Sequence, residues 1–171
     1  MIAFVSGGSG SGKSALAERI CAALPGPRTY VATMPVYSPE DERKVARHHA
    51  LRAGRGFATL EMPGHLGPVP AEGALLLECL STFTANRMFS GESCADWEAA
   101  LWAELQPLLD RPGDTVIVSA DVSGDGTRYD EFTEAYRAVL TGLGCRICGR
   151  ADLVAECVCG LPLVKKGSLP F

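Results

Sequence analysis

Eight residues near the start of the chain have the types and spacing of a phosphate-binding loop. They fit the pattern of a glycine, any four residues and then Gly-Lys-Ser, and their sequence is Gly7-Gly8-Ser9-Gly10-Ser11-Gly12-Lys13-Ser14. Glycines allow successive backbone N–H groups to face phosphate oxygens, Lys13 can reach the β- and γ-phosphates, and Ser14 can bind Mg²⁺. A flexible Gly/Ser linker is the alternative. We favour a nucleoside triphosphate site, because the loop lies between a strand pattern at residues 2–5 and a helix pattern at residues 14–20.

Glu78 is a second candidate for chemistry, as a carboxylate at a strand end. It follows the apolar run Ala74–Leu77, which is typical of a strand buried on both faces of a parallel sheet. Proteins with such a phosphate loop usually hold Mg²⁺ with a carboxylate in this place, directly or through water. The competing interpretation is a helix cap or a solvated strand end. Because the phosphate loop gives a reason for a nearby acid, Ser14 and Glu78 are the predicted metal ligands.

His48 and His49 are two of the three histidines of the chain. A predicted helix that begins near Ser38-Pro39-Glu40-Asp41 carries both, and adjacent residues on a helix point about 100° apart. Only one of the two can therefore face a shared site. A neutral imidazole is a good nucleophile toward phosphorus, although from chemistry alone a solvated helix face is the more economical interpretation.

The seven cysteines are an odd number in an otherwise ordinary intracellular composition, which favours free thiols over disulfides. Cys145-x-x-Cys148 and Cys157-x-Cys159 could supply four thiolates to zinc. Their spacing matches common zinc ribbons poorly, and the pattern around Cys157 and Cys159 predicts a strand with both side chains on one face. We therefore expect buried, free cysteines and no zinc.

Strand and helix patterns alternate along the chain. The predicted strands lie at residues 2–5, 29–33, 57–61, 74–78, 115–119, 153–158 and 161–164. The predicted helices lie near residues 13–24, from 38 to the glycines at 54 and 56, and near 84–89, 97–108 and 129–143. This alternation predicts an α/β fold of the P-loop NTPase (RecA-like) type, a mostly parallel sheet with helices on both faces. Ligands of such sheets collect at the carboxyl ends of the strands, where the phosphate loop, Thr33, Glu78 and Asp121 all fall.

Length and charge narrow the class of protein. The chain has 171 residues, which fits one domain over residues 1–171, and a net charge of −4. The negative charge and the absence of a lysine or arginine block argue against a nucleic-acid partner. No secretory signal pattern precedes the first strand, and no apolar stretch approaches the roughly 20 residues of a membrane span. We expect a cytoplasmic protein without a membrane span.

Several further segments occur in an order that is specific to one family. They follow the phosphate loop as Tyr30–Thr33, Arg47-His48 with Arg52, and Thr59–Glu61. The most specific stretch is Leu76-Leu77-Glu78-Cys79-Leu80-Ser81-Thr82, with Asn86 after it. Together they resemble the bifunctional adenosylcobinamide kinase / adenosylcobinamide-phosphate guanylyltransferases of cobalamin biosynthesis. The similarity covers most of residues 2–91, whereas Ser119-Ala120-Asp121 and the segment 142–147 depart from the family's pattern.

The resemblance implies one transferase domain with two triphosphate-dependent steps. Adenosylcobinamide is phosphorylated with ATP or GTP, and GMP then passes from GTP to adenosylcobinamide phosphate through a GMP-histidine intermediate. Mg²⁺ and a ring-like homo-oligomer are also implied. The site residues that follow from the resemblance are the catalytic His48 (with His49 as the fallback), Lys13 and Glu78, and the nucleotide-binding Thr33, Arg52 and Glu61 beside the phosphate loop. Two other interpretations stay open at this point: a single-activity kinase or guanylyltransferase, and an inactive homologue that binds nucleotide or corrinoid.

Overall fold

Strands and helices alternate along the chain in the computed structural model, which describes residues 1–35, 43, 46, 54–122 and 126–171. Within these residues the strands are β1 (Ile2–Gly7), β2 (Arg28–Ala32), β3 (Phe57–Glu61), β4 (Ala74–Leu77), β5 (Asp114–Ala120), β6 (Leu153–Val158) and β7 (Leu161–Lys166). The helices are α1 (Lys13–Ala23), α2 (Leu80–Met88), α3 (Trp97–Asp110) and α4 (Glu131–Arg150).

These strands form one sheet in the order β3-β2-β4-β5-β1-β6-β7. The strands from β1 to β6 pair in parallel, and β7 pairs antiparallel with β6 at one edge. One strand, β5, separates the strand that leads into the phosphate loop from the strand that ends before Glu78. The arrangement confirms the predicted mostly parallel α/β sheet, with the carboxyl ends of its parallel strands at one edge.

Helices cover both faces of this sheet, as predicted. On one face, α1 packs Leu16 and Ile20 against Val5. On the other face, α2, α3 and α4 pack against Phe4, because successive strand residues point to opposite faces. The buried side chains of this second face include Phe83, Leu101, Leu105, Leu108 and Leu143. No helix in the described part of the chain is long and apolar enough to cross a membrane.

Helix α2 begins one turn before the predicted start near Thr84. Its first residue is Leu80, directly after Glu78 and Cys79. Leu80 and Phe83 are both fully buried, and the spacing of three residues places them on one face of the helix. The polar residues between them hid this pair in the sequence, so the prediction of the helix was correct and its boundary was wrong.

Helix α4 continues to Arg150, well past the predicted end at Leu143. The apolar stripe continues as well, because Leu143 and Ile147 are both fully buried. Gly142 lies inside this helix, where an added Cβ would meet the carboxylate end of the flexible Glu98 side chain on α3. The predicted end at Leu143 is wrong, because the buried stripe extends one turn further to Ile147.

Of the predicted second helix, only residues 43 and 46 are described, and both are helical. His48, His49 and Arg52 lie outside the described residues. Gly54 and Gly56, which were expected to end this helix, lie in a turn before β3. Their φ angles are 78° and 74°, a conformation that glycine adopts without strain.

Candidate nucleotide-binding site

The loop at residues 7–14 connects β1 to α1 and leaves the start of the helix open. Gly12 is the N-cap residue, with φ 92° and ψ 5°, and no side chain caps this N-terminus. The N–H groups of a first helical turn have no acceptor within the helix, and they attract anions. Gly10 also has a positive φ, of 70°. The loop therefore has a conformation suited to a phosphate group.

Lys13 lies over this loop. Its Nζ donates a hydrogen bond to the carbonyl oxygen of Gly8 at 3.1 Å. The next residue, Ser14, is exposed in the first turn of α1. The ammonium group can exchange the neutral Gly8 carbonyl for a phosphate oxygen, which forms a stronger, charge-assisted hydrogen bond.

Neighbouring strand ends bring Thr33, Glu78 and Asp121 to the same edge of the sheet as the loop. Asp121 follows β5, and its backbone N–H donates to the Gly7 carbonyl oxygen at 3.0 Å. Glu78 follows β4, two strand positions from β1, or about 10 Å at the usual strand spacing. Thr33 follows β2, one position further on. The predicted convergence of these residues at one edge is confirmed.

The carboxylate of Glu78 joins two of these strand ends. Its Oε2 accepts hydrogen bonds from the backbone N–H groups of Thr33 at 2.9 Å and Met34 at 3.3 Å. The Thr33 hydroxyl in turn donates to the Cys79 carbonyl oxygen at 3.3 Å. The sequence suggested a metal ligand at this position, and the structure adds that the same side chain fixes the end of β2 against the end of β4.

Asn86 of α2 completes this junction. Its Nδ2 donates to the carbonyl oxygens of Thr33 at 2.7 Å and Pro63 at 2.8 Å. The side chain thereby connects the segments that follow β2 and β3. Sequence reasoning gave Asn86 no role of its own, and its place after the Glu-Cys segment was the only signal for it.

A cavity of about 700 Å³ opens beside Asn86, with Pro35, Pro63 and Phe89 among its lining residues. Phe89 is 55% exposed, and its ring lies 4.9 Å from that of Phe132, which is 48% exposed. Phe132 lies in the first turn of α4, which is more exposed than the later turns that carry Leu140 and Leu143. The cavity and its aromatic rim are large enough for part of a second substrate.

Glu61 is the last residue of β3, which is the outermost strand on one side of the sheet. It is four strand positions from β1, roughly 19 Å at the usual spacing. Glu61 therefore lies among the carboxyl ends of the parallel strands, as the phosphate loop does, but far from the loop. His48 and Arg52 lie outside the described residues.

The oxygen donors at this edge suit Mg²⁺. Ser14 offers a hydroxyl, and Glu78 and Asp121 offer carboxylates, which are the hard ligands that this ion prefers. No group of three or more His, Cys, Asp or Glu side chains in the described ranges is placed to hold a metal ion alone. Mg²⁺ in triphosphate sites takes most of its ligands from phosphates and water, so one hydroxyl and one carboxylate are sufficient.

Glu78→Gln is expected to lower Mg²⁺-dependent turnover on the order of 10²-fold, because the charge is lost at nearly constant shape. Both N–H groups bind one oxygen of Glu78, and a glutamine carbonyl can accept the same two bonds. Metal-free nucleotide binding and the thermal unfolding midpoint should therefore change little. Glu78→Ala removes the acceptor and should lower the free energy of unfolding by about 1–3 kcal/mol. If Glu78→Gln reduces metal-free binding as much as turnover, the metal role is contradicted.

The cysteines were expected to be buried, but their exposure in the structure varies. All seven are free; Cys21 and Cys157 are buried, whereas Cys145 and Cys159 are exposed. The shared strand face predicted for Cys157 and Cys159 is wrong, because β6 ends at Val158 and Cys159 lies in the following turn with φ 49°. Burial raises the pKa of the Cys21 thiol to about 12, so it stays protonated at neutral pH.

We expect no stoichiometric zinc in protein purified without added metal. Cys148 precedes β6, near its amino end, whereas Cys157 lies near its carboxyl end and donates to the Ser11 carbonyl oxygen. A strand of six residues spans roughly 16 Å, too far for one zinc ion with bonds of about 2.3 Å to reach both cysteine pairs. Elemental analysis of the purified protein is the measurement, and one equivalent of tightly held zinc would overturn this expectation.

Comparison with protein families gives one match over nearly the whole chain. A family model described as cobinamide kinase / cobinamide phosphate guanyltransferase matches residues 3–165. The bifunctional adenosylcobalamin biosynthesis protein CobP of Pseudomonas aeruginosa is 31% identical over 169 residues, covering 95% of this chain and 96% of that protein. The bifunctional adenosylcobalamin biosynthesis protein CobU of Salmonella typhimurium is 27% identical over 178 residues, covering 94% and 97%.

A solved structure shares the fold at low sequence identity. It is a prototypical ATPase from the type III secretion system of pathogenic bacteria, with a TM-score of 0.53 and 13% identity. The match covers 96% of this chain and 56% of the ATPase chain. This likeness concerns the architecture alone, and it agrees with the predicted P-loop NTPase fold.

Proposed function

Because the chain belongs to the cobinamide kinase / cobinamide phosphate guanyltransferase family, we propose that it is a bifunctional transferase of cobalamin biosynthesis. Its first activity is phosphorylation of adenosylcobinamide with ATP or GTP. Its second is transfer of GMP from GTP to adenosylcobinamide phosphate. The observation that carries the proposal is the match over residues 3–165, which contain a complete phosphate loop with Lys13 bonded to it.

In the kinase step, the phosphate loop holds the triphosphate while the acceptor hydroxyl of adenosylcobinamide attacks the γ-phosphorus. The bond from this phosphorus to the β–γ bridging oxygen breaks, the nucleoside diphosphate leaves and the hydroxyl proton is released. Phosphoryl transfer depends mainly on positioning and on stabilising charge on the phosphate oxygens. The N–H groups near Gly12 and the ammonium of Lys13 provide both.

In the guanylyl step, a ring nitrogen of His48 attacks the α-phosphorus of GTP and pyrophosphate leaves. A phosphate oxygen of adenosylcobinamide phosphate then attacks the same phosphorus, the P–N bond breaks and adenosylcobinamide-GDP forms. Guanidinium groups of Arg47 and Arg52 offset the negative charge that develops on the phosphates. These three residues lie outside the described part of the chain, so the assignment rests on their pattern in the sequence.

Ser14 and Glu78 would hold Mg²⁺, which neutralises charge on the phosphate oxygens when bound. Thr33 and Glu61 follow strands that are three and four positions from β1, roughly 14 and 19 Å away. These separations suit the sugar and base end of the nucleotide rather than the phosphates held by the loop. We assign Glu61 to contact that end, whereas Thr33, which is fully buried with its hydroxyl bonded to Cys79, would act by positioning the end of β2.

The test follows two labels into the corrinoid product. The protein is incubated with Mg²⁺, adenosylcobinamide and GTP or ATP labelled at the γ-phosphate, and in parallel with Mg²⁺, adenosylcobinamide phosphate and GTP labelled at the α-phosphate. The proposal predicts γ-label in adenosylcobinamide phosphate and α-label in adenosylcobinamide-GDP. Label from only one position would indicate a single-activity enzyme, and label from neither would indicate a binding protein.

The proposal also includes the cytoplasmic location expected from the sequence patterns and the homo-oligomer that the family resemblance implies. Sedimentation of the purified protein tests the second point, since a monomer at assay concentration would contradict it.

A further inference from the structure

The junction between β6 and β7, residues 157–160, packs directly against the phosphate loop. The carbonyl oxygen of Ser11 accepts two hydrogen bonds from this junction, one from the Gly160 N–H at 2.8 Å and one from the Cys157 thiol at 3.1 Å. Cys157 is 1% exposed, so water does not compete for this contact. A carbonyl in the middle of the phosphate motif is thus held by the far end of the chain.

Glycines on the loop allow this close approach. A Cβ on Gly12 would lie 3.2 Å from Gly160 Cα and 3.5 Å from Cys157 Sγ. A Cβ on Gly7 would lie only 2.6 Å from the Cys157 carbonyl oxygen. The first and last glycines of the motif therefore make room for β6 as well as for phosphates.

The junction itself has a defined turn geometry. Cys159 and Gly160 have φ angles of 49° and 81°, and Val158 pairs with Leu161 across them. Two consecutive positive φ values in a two-residue hairpin are the mark of a type I′ turn, which matches the twist of the flanking strands. The turn fixes the direction of the Gly160 N–H that reaches Ser11.

The contact with Ser11 also orients a group that can bind phosphate. The Ser11 C=O and the Gly12 N–H belong to one planar trans peptide, so they point in opposite directions. With the carbonyl held toward the junction, the Gly12 N–H points away from it. Gly12 is the N-cap of α1, where backbone N–H groups bind anions.

We propose that the β6–β7 junction is a positioning element for the triphosphate: Gly160 and Cys157 hold the Ser11 carbonyl so that the Gly12 N–H is presented to a phosphate oxygen. The inference rests on the proposed function only in assuming that the loop binds a nucleoside triphosphate. Neither Gly160 nor Cys157 needs to touch the nucleotide. The junction acts on the affinity for triphosphate through the orientation of one peptide group.

Two substitutions at Gly160 separate this role from simple packing. Space around a Cβ at this position is open, so backbone conformation alone distinguishes the variants. Asparagine tolerates a φ near 81°, whereas a β-branched valine does not. The Kd of Gly160→Asn for triphosphate should stay within about twofold of the value for the unaltered protein. Gly160→Val should raise Kd by about tenfold, which is the effect expected from loss of one charge-assisted hydrogen bond.

The probe is the GTP analogue with a methylene bridge between the α- and β-phosphates, which cannot donate GMP, titrated by calorimetry with Mg²⁺. Turnover assays should show the same rise in the KM for triphosphate at nearly constant kcat, because the N–H binds ground state and transition state alike. Unfolding midpoints are measured on the same samples. Equal Kd values for Gly160→Val and Gly160→Asn would overturn the proposal.

Cys157→Val provides a second variant if Gly160→Val does not fold. Valine has a similar size but no donor, so Kd for the analogue should rise by about two- to threefold, the value of one weak hydrogen bond. An unchanged Kd would then count against the proposal. An unaltered protein that does not bind the analogue would refute the inference together with the nucleotide site, whereas binding without corrinoid products would refute only the proposed function.

Discussion

Lys13→Ala should reduce triphosphate-dependent turnover on the order of 10³-fold in kcat/KM, in both the kinase and the guanylyl assay. The ammonium group is the one side-chain cation on the phosphate loop, and its observed bond is to the neutral carbonyl oxygen of Gly8 at 3.1 Å. In the complex it would bind the β- and γ-phosphates, whose negative charge it stabilises. Folding should be unaffected, because the side chain is partly exposed and Gly8 is at the surface. Steady-state kinetics with each labelled triphosphate are the measurement.

Arg19→Ala is the matched control for the loss of a positive charge from α1. Arg19 is exposed, and its guanidinium stacks on the ring of Phe171 at 4.2 Å. It has no contact with the phosphate loop in the proposed mechanism, so this variant should retain its turnover within about twofold, as surface substitutions usually do. Full activity of Lys13→Ala, or an equal loss in Arg19→Ala, would contradict the assignment of Lys13.

Patterns of hydrophobic residues predicted the sheet and most of its elements. The apolar runs before Gly7 and Glu78 are strands buried on both faces, and their length and composition are typical of parallel sheets. Boundaries were harder to predict. The start of α2 at Leu80 and the end of α4 at Arg150 depend on burial against the core, by Leu80 and Ile147 respectively, and a local pattern does not contain that information.

The positions of the site residues could be predicted because the carboxyl ends of parallel strands lie along one side of the sheet. The contacts among these residues could not be predicted from the sequence. Glu78 and Asn86 converge on Thr33 from different elements, and only the folded chain shows that one carboxylate joins two strand ends. The role of residues 157–160 was also hidden, because they are distant in sequence from the phosphate loop that they contact.

His48→Ala should abolish the GMP adduct and, with it, the formation of adenosylcobinamide-GDP. The imidazole is the nucleophile in the proposed mechanism, and alanine offers no replacement. The kinase step uses the phosphate loop and not the histidine, so γ-label should still enter adenosylcobinamide phosphate in this variant. Loss of both activities in a folded His48→Ala protein would contradict the claim that His48 acts only in the guanylyl step. His49→Ala is the matched control, because adjacent residues on the predicted helix would point about 100° apart.

Covalent labelling is the most direct test of the claim that this site transfers GMP through a histidine. The purified protein is mixed with Mg²⁺ and GTP labelled at the α-phosphate, without corrinoid, then denatured and separated from free nucleotide. We predict a protein-bound label that is labile in acid and stable in base, that is absent when the label is on the γ-phosphate, and that disappears in His48→Ala while persisting in His49→Ala. Loss of the label only in His49→Ala would assign the nucleophile to the adjacent residue, and absence of label in the unaltered protein would contradict the guanylyltransferase mechanism.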